Sequence, residues 1–307
     1  MTSRPIAALT GATGFLGAHL VQALDAAGFS VRVLARREPS PPGWGEVRPE
    51  VIPGDLSDPD ALARLVEGAK AVVHAAGAIK ADDLAGFMRV NRDGTVDLAR
   101  ACRVGAPEAP FVLVSSLAAR QPELSAYAAS KRAGETVAVE LLGERATVIR
   151  PPAIYGPGDR ETLAIFRAAA TSPLLPVLSA DARMALVHVE DAARTVAALA
   201  LAPAPGVWAL ADSRPEGYGW REILAAAAAA VGRGPALVPV PAWALPGLAR
   251  IGVAAGLLSR EKVGEILHKD WAIRPEDLAP GAPPVRWSLD EGFAATADWY
   301  RRAGWLG

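Results

Sequence analysis

A short apolar run, "IAAL" (residues 6–9), leads straight into "TGATGFLG" (10–17), which opens a helical pattern, "AHLVQALDAAG" (18–28). Nothing else in the chain constrains its fold so tightly. Gly11, Gly14 and Gly17 stand in a G-x-x-G-x-x-G spacing. Glycine lets a backbone come close to a pyrophosphate, and the helix that follows points its positive N-terminal end at the negative charge. A glycine loop alone is weak evidence. Set between a first strand and a first helix, it predicts a dinucleotide-binding start to a parallel sheet.

The first half of the chain keeps that rhythm. "SVRVLARR" (30–37) alternates like a strand, "EVRPEVIPGDL" (46–56) holds another, and "DPDALARLVEG" (58–68) is a helix with an Asp/Pro start. "AVVHAAG" (71–77) is a buried strand, "MRVNRDGTVDLARACRVG" (88–105) a helix, and "FVLVSS" (111–116) a strand. "SAYAASKRAGETVAVELLG" (125–143) is a helix, and "ATVIRPPAIYGPGD" (146–159) a strand running into a loop. Such alternation implies an α/β fold, a doubly wound parallel sheet of the Rossmann type with a smaller C-terminal substrate domain. We expect residues 1–155, with 186–212 returning to them, to form the dinucleotide-binding domain. Residues 156–185 and 213–307, where Pro and Trp become frequent, form the expected substrate-binding domain.

The formal net charge of -1 gives no field that would favour nucleic acid or an anionic membrane. Cys102, the single cysteine, cannot form an internal disulfide, and its helical setting reads as a small buried apolar residue. The four histidines are scattered and suggest no metal site. "PIAALTGATG" meets its glycines too early for a signal peptide, so a cytoplasmic protein is expected.

Three further features carry chemistry. In this kind of sheet the end of the second strand lies beside the adenosine ribose, where a carboxylate selects NAD(H). Here Arg36 and Arg37 occupy that place, and a guanidinium pairs with a phosphate, so NADP(H) is expected. Tyr127 and Lys131 are four apart and share a helix face. An ammonium beside a phenol favours the phenolate, which makes the pair a general acid for ketone reduction or a base for the reverse. The preceding strand ends in Ser115-Ser116, and a serine hydroxyl there can hold the carbonyl oxygen. Ser116 is the first choice and Ser115 the second.

Together with "GDL" (54–56), "HAAG" (74–77), "VNRDGT" (90–95), "VSS" (114–116), "YAASK" (127–131), "RPPAIYGPGD" (150–159) and "VHVEDAA" (187–193), the glycine loop resembles the extended short-chain dehydrogenase/reductases, the NAD(P)-dependent epimerase/dehydratase-like family. The resemblance covers nearly the whole chain. It implies that Gly11, Thr13, Gly14, Phe15, Leu16 and Gly17 line the pyrophosphate and that Asp55 and Leu56 flank the adenine. It further implies that Ala75, Ala76 and Gly77 pass along the ribose and nicotinamide, that Lys131 also binds the nicotinamide ribose, and that Pro151 and Ile154 border the amide. Asn91 would steady the fourth strand or a relay water, or simply cap a helix. His74 and His188, inside strand motifs, read as structural. A homodimer through the Tyr127 helix and its neighbour is also implied.

Two departures bear on the substrate. Tyr127 follows Ser116 by only eleven positions, a shorter link than in many nucleotide-sugar members, which should leave the site mouth more open. Those members often carry an arginine four positions before the histidine of the "VHVED" motif; Met184 stands there, with Arg183 adjacent. In "ALVPVPAWALPGLARIGVAAGLLS" (236–259) Arg250 is the one charged residue. Its prolines and glycines argue against a transmembrane helix. Residues 237–259 read as the wall of an apolar tunnel, as a peripheral contact with the inner membrane surface, or as plain packing. The expected function is NADPH-dependent reduction of a ketone on an apolar, lipid-like small molecule, such as a 3-oxo-sphingolipid (oxidised ceramide) or a sterol-like ketone. A nucleotide-sugar epimerase/dehydratase and a non-catalytic nucleotide-binding scaffold are the competing readings.

Overall fold

A computed structural model describes residues 4–37, 42–179, 181–245, 247 and 260–306. The chain divides into two compact units. The first comprises Met1–Pro151, Ala192–Leu210 and Asp277–Pro284, and the second comprises Pro152–Asp191, Ala211–Glu276 and Val285–Gly307.

The first unit is built on β1 (Ile6–Thr10), β2 (Ser30–Ala35), β3 (Glu50–Pro53), β4 (Ala71–His74), β5 (Phe111–Val114) and β6 (Ala146–Arg150). Between them run α1 (Phe15–Ala26), α2 (Pro59–Val66), α3 (Leu84–Met88), α4 (Gly94–Gly105) and α5 (Ala126–Leu142). The later strands β7 (Ala153–Tyr155), β8 (Leu174–Val177), β9 (Arg183–Met184) and β10 (Leu186–His188) precede β11 (Gly206–Ala209), which pairs with β6. The result is one seven-stranded sheet in the order β11-β6-β5-β4-β1-β2-β3, with every pairing parallel. The chain steps outward from β1 to β3, then crosses back to β4 and steps the other way. That reversal opens a crevice at the carboxyl ends of β1 and β4, where doubly wound sheets bind ligands.

The strands read as continuous apolar runs because both faces are covered. On one face Leu62, Leu65, Leu98, Phe111 and Val148 form a buried cluster under α2 and α4. Cys102 belongs to it, and burial pushes its thiol up to about 12. Asp58 starts α2 by accepting a hydrogen bond from the Ala61 amide at 3.0 Å, with Pro59 in the first turn where a missing N–H is harmless.

Two expectations need correction. The helix expected over 88–105 starts earlier, as α3, and within that range divides into a wide π-turn over Arg89–Asp93 and α4. The π-turn pushes the Asn91 carbonyl toward α5, and Gly134 leaves it room, since a Cβ there would sit 2.4 Å from that oxygen. The single strand running into a loop expected over 146–159 is two strands before the loop: β6 stays in the central sheet, whereas β7 pairs with β10.

The second unit contains α6 (Leu163–Thr171), α8 (Trp220–Ala230), β12 (Ala236–Pro239), α9 (Arg260–Leu267), β13 (Asp270–Trp271) and α10 (Leu289–Arg302), and α7 (Val189–Leu201) begins within it. Three two-stranded parallel ribbons, β10-β7, β12-β8 and β13-β9, frame a core of Tyr155, Phe166, Phe293 and Tyr300. His188 stacks obliquely on Trp287 at 4.4 Å between ring centroids and meets Tyr155 edge-on at 5.5 Å, a packing role. Of the apolar stretch 237–259, the described part shows Trp243 largely exposed; residues 246 and 248–259 lie outside the described residues. No helix among the described residues is long and apolar enough to cross a membrane.

Candidate active site

The glycine loop closes on itself and on the next strand. The Gly14 amide donates to the Gly11 carbonyl at 3.0 Å, and α1 begins at Phe15. Gly11 has φ +79°, and a Cβ there would lie 2.5 Å from the Ala76 amide nitrogen. A Cβ on Gly17 would lie 1.9 Å from the Gly11 carbonyl oxygen. Both glycines are therefore obligatory, and the cradle they leave beside exposed Thr13 and Gly14 fits a pyrophosphate at a helix N-terminus. Phe15 and Leu16, in the first turn of α1, are half-buried.

Arg36 and Arg37 follow β2 directly and are exposed. With Thr13 and Ala35 they line a cavity of about 500 Å³. The Gly54 amide donates to the Ala35 carbonyl at 3.1 Å, immediately before Asp55 and Leu56. Asp55 Oδ1 accepts from the Ser57 amide (2.8 Å) and hydroxyl (2.6 Å). Those bonds, with a smaller contribution from the Arg36 charge, hold its carboxyl below the usual range.

Around the end of β4 the polar groups account for one another. Thr10 Oγ1 accepts from the Ala76 amide (3.2 Å) and lies 2.7 Å from His74 Nδ1; His74 Nε2 lies 3.1 Å from Thr95 Oγ1, which donates to the Asn91 carbonyl at 2.8 Å. Since the Thr95 proton is already given away, His74 must donate from Nε2 and accept at Nδ1. Burial, and then the Lys131 charge, push His74 down to about 3, so it is neutral. Asn91 Oδ1 accepts from the Ala78 amide (2.8 Å), while Nδ2 donates to the Ala78 carbonyl (3.1 Å) and to Ser130 Oγ (2.8 Å). Asn91 caps no helix; it fastens the segment after β4 to α5. A Cβ on Gly77 would lie 3.0 Å from Asn91 Oδ1 and 3.4 Å from Lys131 Nζ, so Gly77, Asn91 and Lys131 converge.

Lys131 is buried, and its Nζ donates to the Val114 carbonyl at 2.7 Å. Burial lowers it to about 8, against the opposing charge of Glu135. Tyr127, one turn earlier on α5, is half-buried with its ring edge-on to Phe87 at 6.0 Å. Ser125 caps this helix by accepting from the Ala128 amide at 2.9 Å.

The serine pair divides its labour. Ser115 is buried and donates to Glu135 Oε1 at 2.6 Å. Ser116 is extended (φ -156°, ψ 149°) and its oxygen accepts from the Ala118 amide at 3.2 Å. The link after it is a 3-10 turn, Leu117–Arg120, with Leu117, Ala118 and Ala119 buried. The Leu117 amide donates to the carbonyl of Pro151 at 2.8 Å, which ties Pro151 to this corner. Ile154 lies on β7 of the second unit. Met184 packs on the second unit's apolar cluster, while Arg183 is exposed.

The sequence profile of the NAD dependent epimerase/dehydratase family matches residues 7–211. The chain belongs to that family. It is 48% identical to a protein named Ceramide reductase from Caulobacter vibrioides, over 99% of this chain and 97% of the relative. UDP-glucose 4-epimerase of Thermus thermophilus, solved in complex with NAD, superposes with a TM-score of 0.73 at 25% identity over 97% of this chain and 99% of that one. UDP-N-acetylglucosamine 4-epimerase from Bacillus cereus gives 0.72 at 18% identity over 97% of each chain, a likeness of fold.

Two features of this epimerase/dehydratase-family site were not read from the sequence. Trp44 is buried and its Nε1 donates to the Ala12 carbonyl at 3.0 Å, while Gln22 Nε2 donates to the Gly43 carbonyl at 2.5 Å. The β2–β3 connection thus braces the glycine loop from behind. Glu135 is buried and grips Arg150 through two bonds, 2.8 and 2.6 Å. The E four positions after the K of "YAASK" is the local signal that could have been followed.

Proposed function

We propose that this protein uses NADPH to reduce a ketone to an alcohol on an apolar, lipid-like substrate of the oxidised-ceramide class. The observation that carries the reading is Lys131: a buried ammonium beside Gly77 and Asn91, one turn along α5 from Tyr127. When bound, NADPH supplies the hydrogen and two electrons that the carbonyl carbon gains. Gly11, Gly14 and Gly17 would admit its pyrophosphate, and Arg36 and Arg37 its 2′-phosphate. Ser116, whose oxygen already accepts a backbone hydrogen bond, has its hydroxyl proton left to hold the carbonyl oxygen. Tyr127 gives that oxygen its proton, and the Lys131 charge stabilises the phenolate left behind.

The lipid substrate is supported by the 48% identity to the Caulobacter protein and by Met184 at the place where an arginine would meet a diphosphate. The test is NADPH oxidation with a long-chain 3-oxo-amide lipid in detergent, with UDP-sugars as competitors. Turnover that disappears in Tyr127→Phe, with NADPH still bound, is expected. Turnover retained in that variant overturns the mechanism. Turnover only with UDP-sugars overturns the substrate. Because burial lowers Lys131 to about 8, turnover should decline above that pH.

A further inference from the structure

Further along the Tyr127–Lys131 face, α5 carries an acid that the reductase chemistry does not consume. Glu135 lies one turn beyond Lys131 and is 2% exposed. A carboxylate so deep needs partners. It has Arg150 from β6 on both oxygens, Ser115 from the end of β5 at 2.6 Å, and Arg132 from the rim at 3.6 Å.

We propose that Glu135 is a positioning residue for the catalytic set: it fixes through Ser115 the face that Ser116 presents, and it partly balances the charge buried at Lys131. The first half follows from geometry. Successive side chains on extended backbone point to opposite sides. Ser115 is drawn onto Glu135, so Ser116 must turn away from it. Ser116 is extended, and the Ser115 amide is held by the Ile149 carbonyl at 2.7 Å, so the segment cannot rotate freely. The second half follows from the helix: residues four apart are neighbours on one face. Tyr127 and Glu135 lie one turn either side of Lys131 on α5, Arg132 follows it in sequence, His74 on β4 feels its charge, and Arg150 on β6 sits on Glu135. His74 is neutral, and Glu135, though shared with Arg150, is the carboxylate one helix turn from Lys131.

The assignment rests on the reductase reading for its catalytic arm alone. The chain has five lysines, few enough to resolve the Lys131 amine by NMR in the cofactor-free protein. In Glu135→Gln the Lys131 titration midpoint should fall by about one pH unit. In Glu135→Gln/Arg150→Gln, which leaves no lone buried guanidinium and covers failure of the single variant to fold, it should still fall by about half a unit. An unmoved midpoint in a folded variant overturns the electrostatic half. For the orienting half, Ser115→Ala should lower kcat about tenfold without changing KM for NADPH, and Ser115→Thr should restore it. Full activity of Ser115→Ala overturns that half. If the variants show the lysine shift but the wild type turns over no ketone, the reductase reading is overturned instead.

Discussion

Replacing His74 tests the polar lattice on which the crevice is built. In the folded chain His74 is fully buried, neutral, and held between Thr10 and Thr95. Its folded pKa, about 3, lies below its unfolded value of 6.5. Between those values the unfolded chain binds a proton that the native state refuses. The stabilisation is thus complete above pH 6.5 and is lost as the pH falls toward 3. Each unit is worth about 1.4 kcal/mol, so about 3 kcal/mol should vanish between pH 7 and pH 4. His74→Gln keeps polar atoms in place but cannot titrate. At pH 7 it should be less stable than wild type by about 1–3 kcal/mol, from imperfect replacement of two buried hydrogen bonds. By pH 4 that gap should close or reverse, because carboxylates titrate alike in both proteins. Urea unfolding of the pair, followed by circular dichroism at pH 7, 6, 5 and 4, measures the difference directly. If both proteins lose stability in parallel, His74 is not held neutral and the hydrogen-bond assignment fails.

Arg36→Asp should weaken NADPH binding at least about tenfold, the scale of a lost charge-assisted hydrogen bond, while NADH changes much less. Equal effects on the two cofactors, measured by titration calorimetry, would refute the 2′-phosphate assignment. Trp44→Phe keeps the ring but removes the donor to Ala12, so the NADPH dissociation constant should rise by about three- to tenfold, with about 1 kcal/mol lost in stability. An unchanged constant would mean that the glycine loop holds its shape unaided.

The sheet was legible because its local signals agree: apolar strands, helices with caps, and a glycine loop where backbone contacts of 2.5 Å or less admit no side chain at Gly11 and Gly17. Family membership, too, could be read from eight short motifs. What escaped depends on residues distant in sequence. Ser115 and Ser116 look alike in a string; only Glu135, twenty positions on, distinguishes them. Trp44 looks like a loop residue until its indole is found thirty-two residues back against Ala12. The π-turn at Arg89–Asp93 interrupts a sequence whose apolar spacing suits one helix, and the room for its Asn91 carbonyl lies on another helix, at Gly134.

Cys102 has a practical consequence. It is the single thiol in the chain, it sits within the apolar cluster under α4, and its resistance to ionisation leaves almost no thiolate at neutral pH. An alkylating reagent can reach it only when that packing parts. The labelling rate is therefore an intrinsic clock for openings of the first unit, readable by mass spectrometry with no engineered probe. Run with and without dinucleotide, the same clock would show how far ligand binding slows those excursions.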